Sequence, residues 1–180
     1  MVDPKGIICR AETAGLKIVT AESCTAGLAA DLLASVPGAS RVFWGGFICY
    51  TPEAKTLMLG IEEALLEKYG LVSRETAMSM AGGALKRSGA DVAVSVTGLA
   101  GPDGDGSGVP VGTVWIGAVC RNGECKAWAY HYTGSRQSVR SAAAREAIEV
   151  LGRLLLDCSD KIPQGERIKN SQGLAGEGSV

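Results

Sequence analysis

The sequence is poor in the side chains that many catalytic and binding sites rely on. It has one histidine in 180 residues, His131, so a Ser-His-Asp or Cys-His mechanism has a single candidate base. His131 stands between Tyr130 and Tyr132 in a strand-like run, where alternation makes it a packed or a surface strand residue. Aromatic residues make up only 5% of the chain. Eighteen basic residues against nineteen acidic ones leave a net charge of −1, which removes the electrostatic footprint of a nucleic-acid binder. No apolar run reaches the roughly 18 residues of a membrane helix. The N-terminal MVDPKGIICRAE also lacks the charged, apolar and small-residue regions of a signal peptide. The six cysteines, at 9, 24, 49, 120, 125 and 158, contain no CxxC pair, so zinc-site and disulfide-framework spacings are missing. These absences point to a cytoplasmic chain with six reduced thiols and no membrane or nucleic-acid partner. The one candidate pairing is Cys120 with Cys125, which flank an Asn122-Gly123 turn and would face each other across a hairpin.

What remains is aliphatic and rich in backbone: 46% of residues are hydrophobic and 25 are glycine. That content fills one sizeable core, and 180 residues are few for two. Helical signals cover residues 3–15, with Pro4 at the start and Gly15 at the stop. Residues 16–20 form a short strand that runs through AESCTAG (21–27) into a helix with apolar positions at Leu28, Ala29, Leu32, Leu33 and Val36. Residues 41–50 (RVFWGGFICY) read as a strand in which Gly45-Gly46 marks a bend or a close approach. Thr51-Pro52 opens another helix, 61–69 forms the next, and Ser73 caps a longer one. The buried strand 91–97 delivers the chain into a glycine-rich run, 98–108, followed by an antiparallel pair at 111–120 and 125–132 and a helix over 136–157. Strands alternating with helices, plus one hairpin, describe an α/β protein, a three-layer α/β/α sandwich on a mixed sheet. Residues 1–159 form a single domain, and 160–180, without aromatics or periodicity, form a flexible C-terminal tail.

Ser23 occupies a strand-to-helix junction, where open α/β folds gather ligands and where helix-start N–H groups stabilise anions. Serine or Thr25 at such a place also serves simply as a helix cap. Cys24 is a rival nucleophile, because a helix N-terminus lowers a thiol pKa, or else a small residue packed under the helix. The glycine run matches neither GxGxxG nor a Walker loop, so it is an anion cradle or a plain flexible loop. Arg136 suits a phosphate or a solvated helix start. Asp103 and Asp105 lack a third ligand type, and no metal site is drawn from them. With histidine scarce, lysine is the leading substitute base. Lys55, 32 residues beyond Ser23, can meet it only through the fold.

Five segments stand in order: AESCTAGL at 21–28, YTPEAK at 50–55, VTGLAGPDG at 96–104, PVGTVWIG at 110–117 and TGSR at 133–136. Together they make the chain, from about residue 5 to 157, resemble the CinA C-terminal domain family, the PncC-type nicotinamide mononucleotide deamidases. The resemblance implies a mixed, mostly parallel five-stranded sheet. It implies a cytosolic amidohydrolase that turns nicotinamide mononucleotide into nicotinic acid mononucleotide and ammonia in pyridine-nucleotide recycling, with no metal and no cofactor. By matched position Ser23 is the nucleophile and Lys55 the general base, while Tyr50 relays a proton or orients the pair. Thr25 and Thr97, with the backbone of Gly98, Ala100 and Gly101, belong to the substrate pocket, and Arg136 holds the phosphate. A homodimer is implied by analogy alone.

Three positions depart from the family pattern. Ala26 stands where glycine is usual, Pro52 where asparagine is usual, and Ser135 where an acidic residue is common. Full-length relatives carry a further N-terminal domain resembling molybdopterin-binding proteins, and this chain is expected to begin too late to contain one. The competing reading is a non-catalytic nucleotide-binding or protein-interaction module linked to competence or DNA damage. A chain ended at Asp160 is expected to fold as the whole chain does, which matching melting temperatures would verify.

Overall fold

The computed structural model describes residues 3–159; the expected tail, 160–180, lies outside them. Along the chain the elements are helix α1 (Pro4–Ala14), strand β1 (Ile18–Glu22), α2 (Leu28–Ala34), β2 (Phe43–Ile48), α3 (Pro52–Leu59), α4 (Glu63–Tyr69), α5 (Arg74–Ser88), β3 (Val92–Gly98), β4 (Thr113–Cys120), β5 (Cys125–His131) and α6 (Arg136–Ser159). Local chemistry sets most of these boundaries. Asp3, Thr51 and Ser73 cap α1, α3 and α5 by accepting from first-turn amides, and Pro4 and Pro52 occupy first helical positions whose N–H needs no partner.

The sheet runs β2-β1-β3-β4-β5. β1 pairs in parallel with β2 and β3, whereas β3–β4 and β4–β5 are antiparallel. Four strands therefore point one way and β4 alone opposes them. Alternation divides the core in two. Ile18, Val92, Val94, Val96, Val114 and Ile116 face α1, α2 and α6. Val19, Ala21, Ala93 and Val119 face the layer of α3, α4 and α5. The interruption foreseen in β2 is a bulge at Trp44, where the register steps from Ile18↔Phe43 to Val19↔Gly45.

The thiol expectation needs correcting. Cys120 is bonded to Cys158 of α6, their Cα atoms 6.5 Å apart, and Cys125 is free and exposed. Register explains why the hairpin pair does not form. Cys125 stands opposite Val119, so it shares that residue's face of the sheet, while Cys120 points to the other face, under α6.

The tightest interlayer contact is at Gly117 in β4. A Cβ there would lie 2.5 Å from the Ala77 carbonyl oxygen of α5 and 2.8 Å from Ser95 Oγ, which itself bonds that carbonyl. Gly117→Ala must push α5 off the sheet and is expected to cost about 1–3 kcal/mol. Thermal melting would register this as a loss of several degrees; an unchanged melting temperature would contradict it.

Candidate active site

β1, β2 and β3 end side by side, and the chain leaves β1 toward one face and β2 toward the other. Ser23, Tyr50 and the glycine run all follow these carboxyl ends, where open α/β sheets form their crevice. Ser23 is held there because its N–H donates to Val96 O, extending the β1–β3 ladder by one bond. α3 begins two residues beyond Cys49 and Tyr50, and its first turn carries Lys55 into the same crevice. Lys55 is 1% exposed, and among the described residues it heads the fully buried side chains by volume. Its Nζ lies 2.9 Å from Ser23 Oγ and donates to Cys49 O, also at 2.9 Å.

Burial pushes the Lys55 pKa down from its ordinary value of 10.5; the nearby thiols of Cys49 and Cys24 pull weakly the other way. The N-terminal end of α3 adds a positive field that disfavours the ammonium further. The result is an amine that gives up its proton more readily than a surface lysine and is already in contact with a hydroxyl. The reverse holds for Cys24. Its thiol, buried, is pushed up to about 11, so of its two readings the packed residue holds and the activated thiol does not.

The turn between β1 and α2 depends on two residues that sequence reasoning passed over. Gly27 occupies the N-cap of α2 and offers no side chain, so the buried Glu22 carboxylate does the capping from upstream. It accepts from the N–H groups of Gly27, Ala29 and Ala30 at 2.9, 3.1 and 2.8 Å. The α2 N-terminus expected to receive an oxyanion is therefore already filled. Arg140, in α6, bonds Cys24 O at 2.9 Å and Thr25 O at 3.0 Å. Signals for both existed: a carboxylate five residues ahead of a capless glycine, and a second arginine one helical turn after Arg136. Ala26, at φ 50°, is the one non-glycine with positive φ among the described residues, a conformation that glycine adopts at less cost.

The other predicted residues divide between the crevice and its mouth. Arg136 donates to Gly101 O at 2.9 Å and to Tyr50 Oη at 2.5 Å, joining the glycine run, α6 and the end of β2. Tyr50 thus meets Arg136, and no hydrogen bond links it to Ser23 or Lys55. Thr97 is buried and donates to Leu71 O at 2.7 Å. Gly98 is small because a Cβ would lie 2.8 Å from Thr113 O, a packing demand of β4. Ala100 is buried beside it. Thr25 is fully buried, and its Oγ1 has no partner. Ser135 Oγ accepts from Ser138 N–H and so caps α6. His131 is exposed on the edge strand β5, three strands from β1, about 14 Å at usual strand spacing. Asp105 is spent on a turn with Ser107. Among the described residues no three of His, Cys, Asp and Glu are grouped as metal ligands, and no helix is long and apolar enough to cross a membrane. A separate open groove of about 750 Å³, lined by Leu59, Ile61, Glu62, Lys86 and Arg87 among others, contains none of these residues.

Residues 5–155 match the model of the CinA C-terminal domain. A CinA-like protein of Akkermansia muciniphila is 45% identical over 90% of this chain, which spans only 38% of that protein's length. The nicotinamide-nucleotide amidohydrolase PncC of Shigella flexneri is 42% identical, covering 79% of this chain and 86% of its own. Among solved structures, the competence/damage inducible protein CihA from Agrobacterium tumefaciens superposes with a TM-score of 0.79 at 42% identity, over 86% of this chain and 96% of that one. A CinA superfamily protein from Escherichia coli has the same TM-score at 33% identity, over 86% and 93%.

Two measurements probe this geometry. Glu22→Gln trades a carboxylate that serves three amides for a group with one acceptor, and is expected to lose about 1.5–3 kcal/mol of stability in denaturant titration. For Lys55 the sign follows from linkage. The unfolded chain binds the Lys55 proton more tightly than the folded chain, so wild type gains stability relative to Lys55→Met as pH rises from the depressed pKa toward 10.5. A stability difference that stays flat from neutral pH to 10.5 would mean that burial does not lower this pKa.

Proposed function

This chain belongs to the CinA C-terminal domain family, and from that premise we propose that it hydrolyses the carboxamide of nicotinamide mononucleotide to nicotinic acid mononucleotide and ammonia. The observation that carries the reading is the 2.9 Å contact between Ser23 Oγ and a lysine amine buried where its charge is disfavoured. The amidohydrolase name of the Shigella flexneri relative supplies the substrate class.

Neutral Lys55 takes the proton of Ser23 Oγ as the oxygen attacks the carboxamide carbon. The tetrahedral intermediate collapses when Lys55 returns that proton to the amide nitrogen, which leaves as ammonia. An ester on Ser23 remains. Water, deprotonated by Lys55, then attacks the ester carbon, and Ser23 recovers its proton as the carboxylate departs. Cys49 O holds Nζ in line through both halves of the cycle. The positive pyridinium ring of the substrate makes the carboxamide carbon more electrophilic, which suits a weak base.

At the mouth, two N–H groups of Arg136 are engaged by Gly101 O and Tyr50 Oη, and a guanidinium has five. Those remaining grip the substrate phosphate, with Tyr50 fixing the fork in place. The role expected for Tyr50 beside the catalytic pair becomes one beside the phosphate. The reaction belongs to pyridine-nucleotide recycling in the cytoplasm and uses no metal.

Ser23→Ala and Lys55→Ala are expected to cut ammonia release by at least about 10²–10⁴-fold while both variants stay folded. A chelator should change nothing. Below the ordinary lysine range, kcat should rise with pH as Lys55 loses its proton. Wild-type turnover in either variant would dispose of the Ser/Lys assignment, and a folded wild type that binds the nucleotide without releasing ammonia would favour a binding module.

A further inference from the structure

We infer that Arg140 is a positioning residue: it turns the Cys24–Thr25 peptide so that the Thr25 N–H faces the reacting carbon and serves as an oxyanion donor. The inference rests on Ser23 as nucleophile.

Arg140 is oddly placed for a surface arginine. It lies in the second turn of α6, one turn beyond Arg136. Among the described residues no carboxylate pairs with it. Its Nε and Nη2 instead reach across more than a hundred residues of sequence to two successive carbonyls, Cys24 O and Thr25 O, and its remaining contact is a long one, 3.4 Å, to Gln137 Oε1. A guanidinium fork on adjacent carbonyls fixes two peptide planes at once.

The consequence is geometric. In a trans peptide the C=O and N–H point in opposite directions, and among the described residues the only cis bond is Gly101-Pro102. Cys24 O is drawn toward α6, which covers one face of the sheet, so the N–H of the same peptide, that of Thr25, points away from α6. Lys55 enters from the opposite face, on α3. The Thr25 N–H is thereby turned toward the side from which Nζ meets Ser23 Oγ.

Most neighbouring amides are already used. Ser23 N–H donates to Val96 O, Ala26 N–H to Ser23 O, Leu28 N–H to Thr25 O, and Gly27 N–H to Glu22. Among the described residues Cys24 N–H and Thr25 N–H have no acceptor, and of these two Arg140 fixes, through Cys24 O, the peptide that carries the Thr25 N–H. The Thr25 side chain adds a second, independent observation: it is fully buried and its Oγ1 is unpartnered. Two unsatisfied donors on one buried residue, two positions after the nucleophile, are rare unless a ligand atom completes them. The cation on the carbonyl also polarises the peptide and strengthens its N–H as a donor.

The test is steady-state deamidation of nicotinamide mononucleotide by Arg140→Met and Arg140→Lys, with Ser23→Ala run beside them and folding checked by melting. Removing one oxyanion donor outright costs about 10²–10³-fold in kcat. Arg140→Met, which loosens a donor and leaves it in the chain, is expected to lower kcat by roughly 10–100-fold with KM changed by less than about threefold, and Arg140→Lys to recover part of the loss. Wild-type kcat in Arg140→Met, or a rise in KM at unchanged kcat, would overturn the inference. Should Arg140→Met not fold, Arg140→Lys decides alone by the same split. Full activity in Ser23→Ala would instead bring down the nucleophile reading beneath it.

Discussion

An amine that is taken out of water and given no counter-ion organises this molecule. Lys55 is buried against a hydroxyl and a carbonyl, and among the described residues no carboxylate pairs with its Nζ. An ammonium held this way is costly, since desolvation far exceeds what two neutral acceptors return. The cost falls as the proton leaves, which is what a base needs. Folding thus makes the Lys55 amine a readier proton acceptor than a surface lysine, and the core that surrounds it keeps water from restoring the ordinary pKa. The three parallel strands, the capped start of α3 and the two cores exist around this contact.

The turn that carries Ser23 is held from two sides by opposite charges. Glu22 gathers amides at the start of α2, and Arg140 gathers carbonyls from α6. A turn that contains a left-handed Ala26 and a left-handed Gly27 is not a conformation the chain adopts unaided. Each clamp satisfies backbone groups that would otherwise be buried without partners, and between them they fix which way each peptide faces. Arg136 works similarly at the mouth, binding Gly101 and Tyr50 so that three separate segments share one edge of the crevice.

Much of this was legible in the sequence because it depends on local signals. Proline at first helical positions, caps at Thr51 and Ser73, glycine stops and β-branched runs placed the elements within a few residues. Ser23 could be placed at the end of β1 by pattern, whereas its meeting with Lys55 came from the five ordered motifs, since no spacing rule reaches across 32 residues. The misreadings share a cause. The Cys120 partner depends on which face of the sheet a side chain takes, and the filled α2 N-terminus on a carboxylate reaching forward from a strand. Of the two readings of Cys24 the packed residue is the one found, because burial outweighs the helix field. In each, tertiary placement decided between local options that composition and periodicity leave equal.

The most direct measurement of the central claim is mass spectrometry of the protein quenched during turnover of nicotinamide mononucleotide. The account expects an acyl adduct, the substrate less ammonia, on the peptide that contains Ser23 and absent from Ser23→Ala. Sustained ammonia release without any adduct, in conditions where hydrolysis of the ester limits turnover, or an adduct on Cys24, would contradict it.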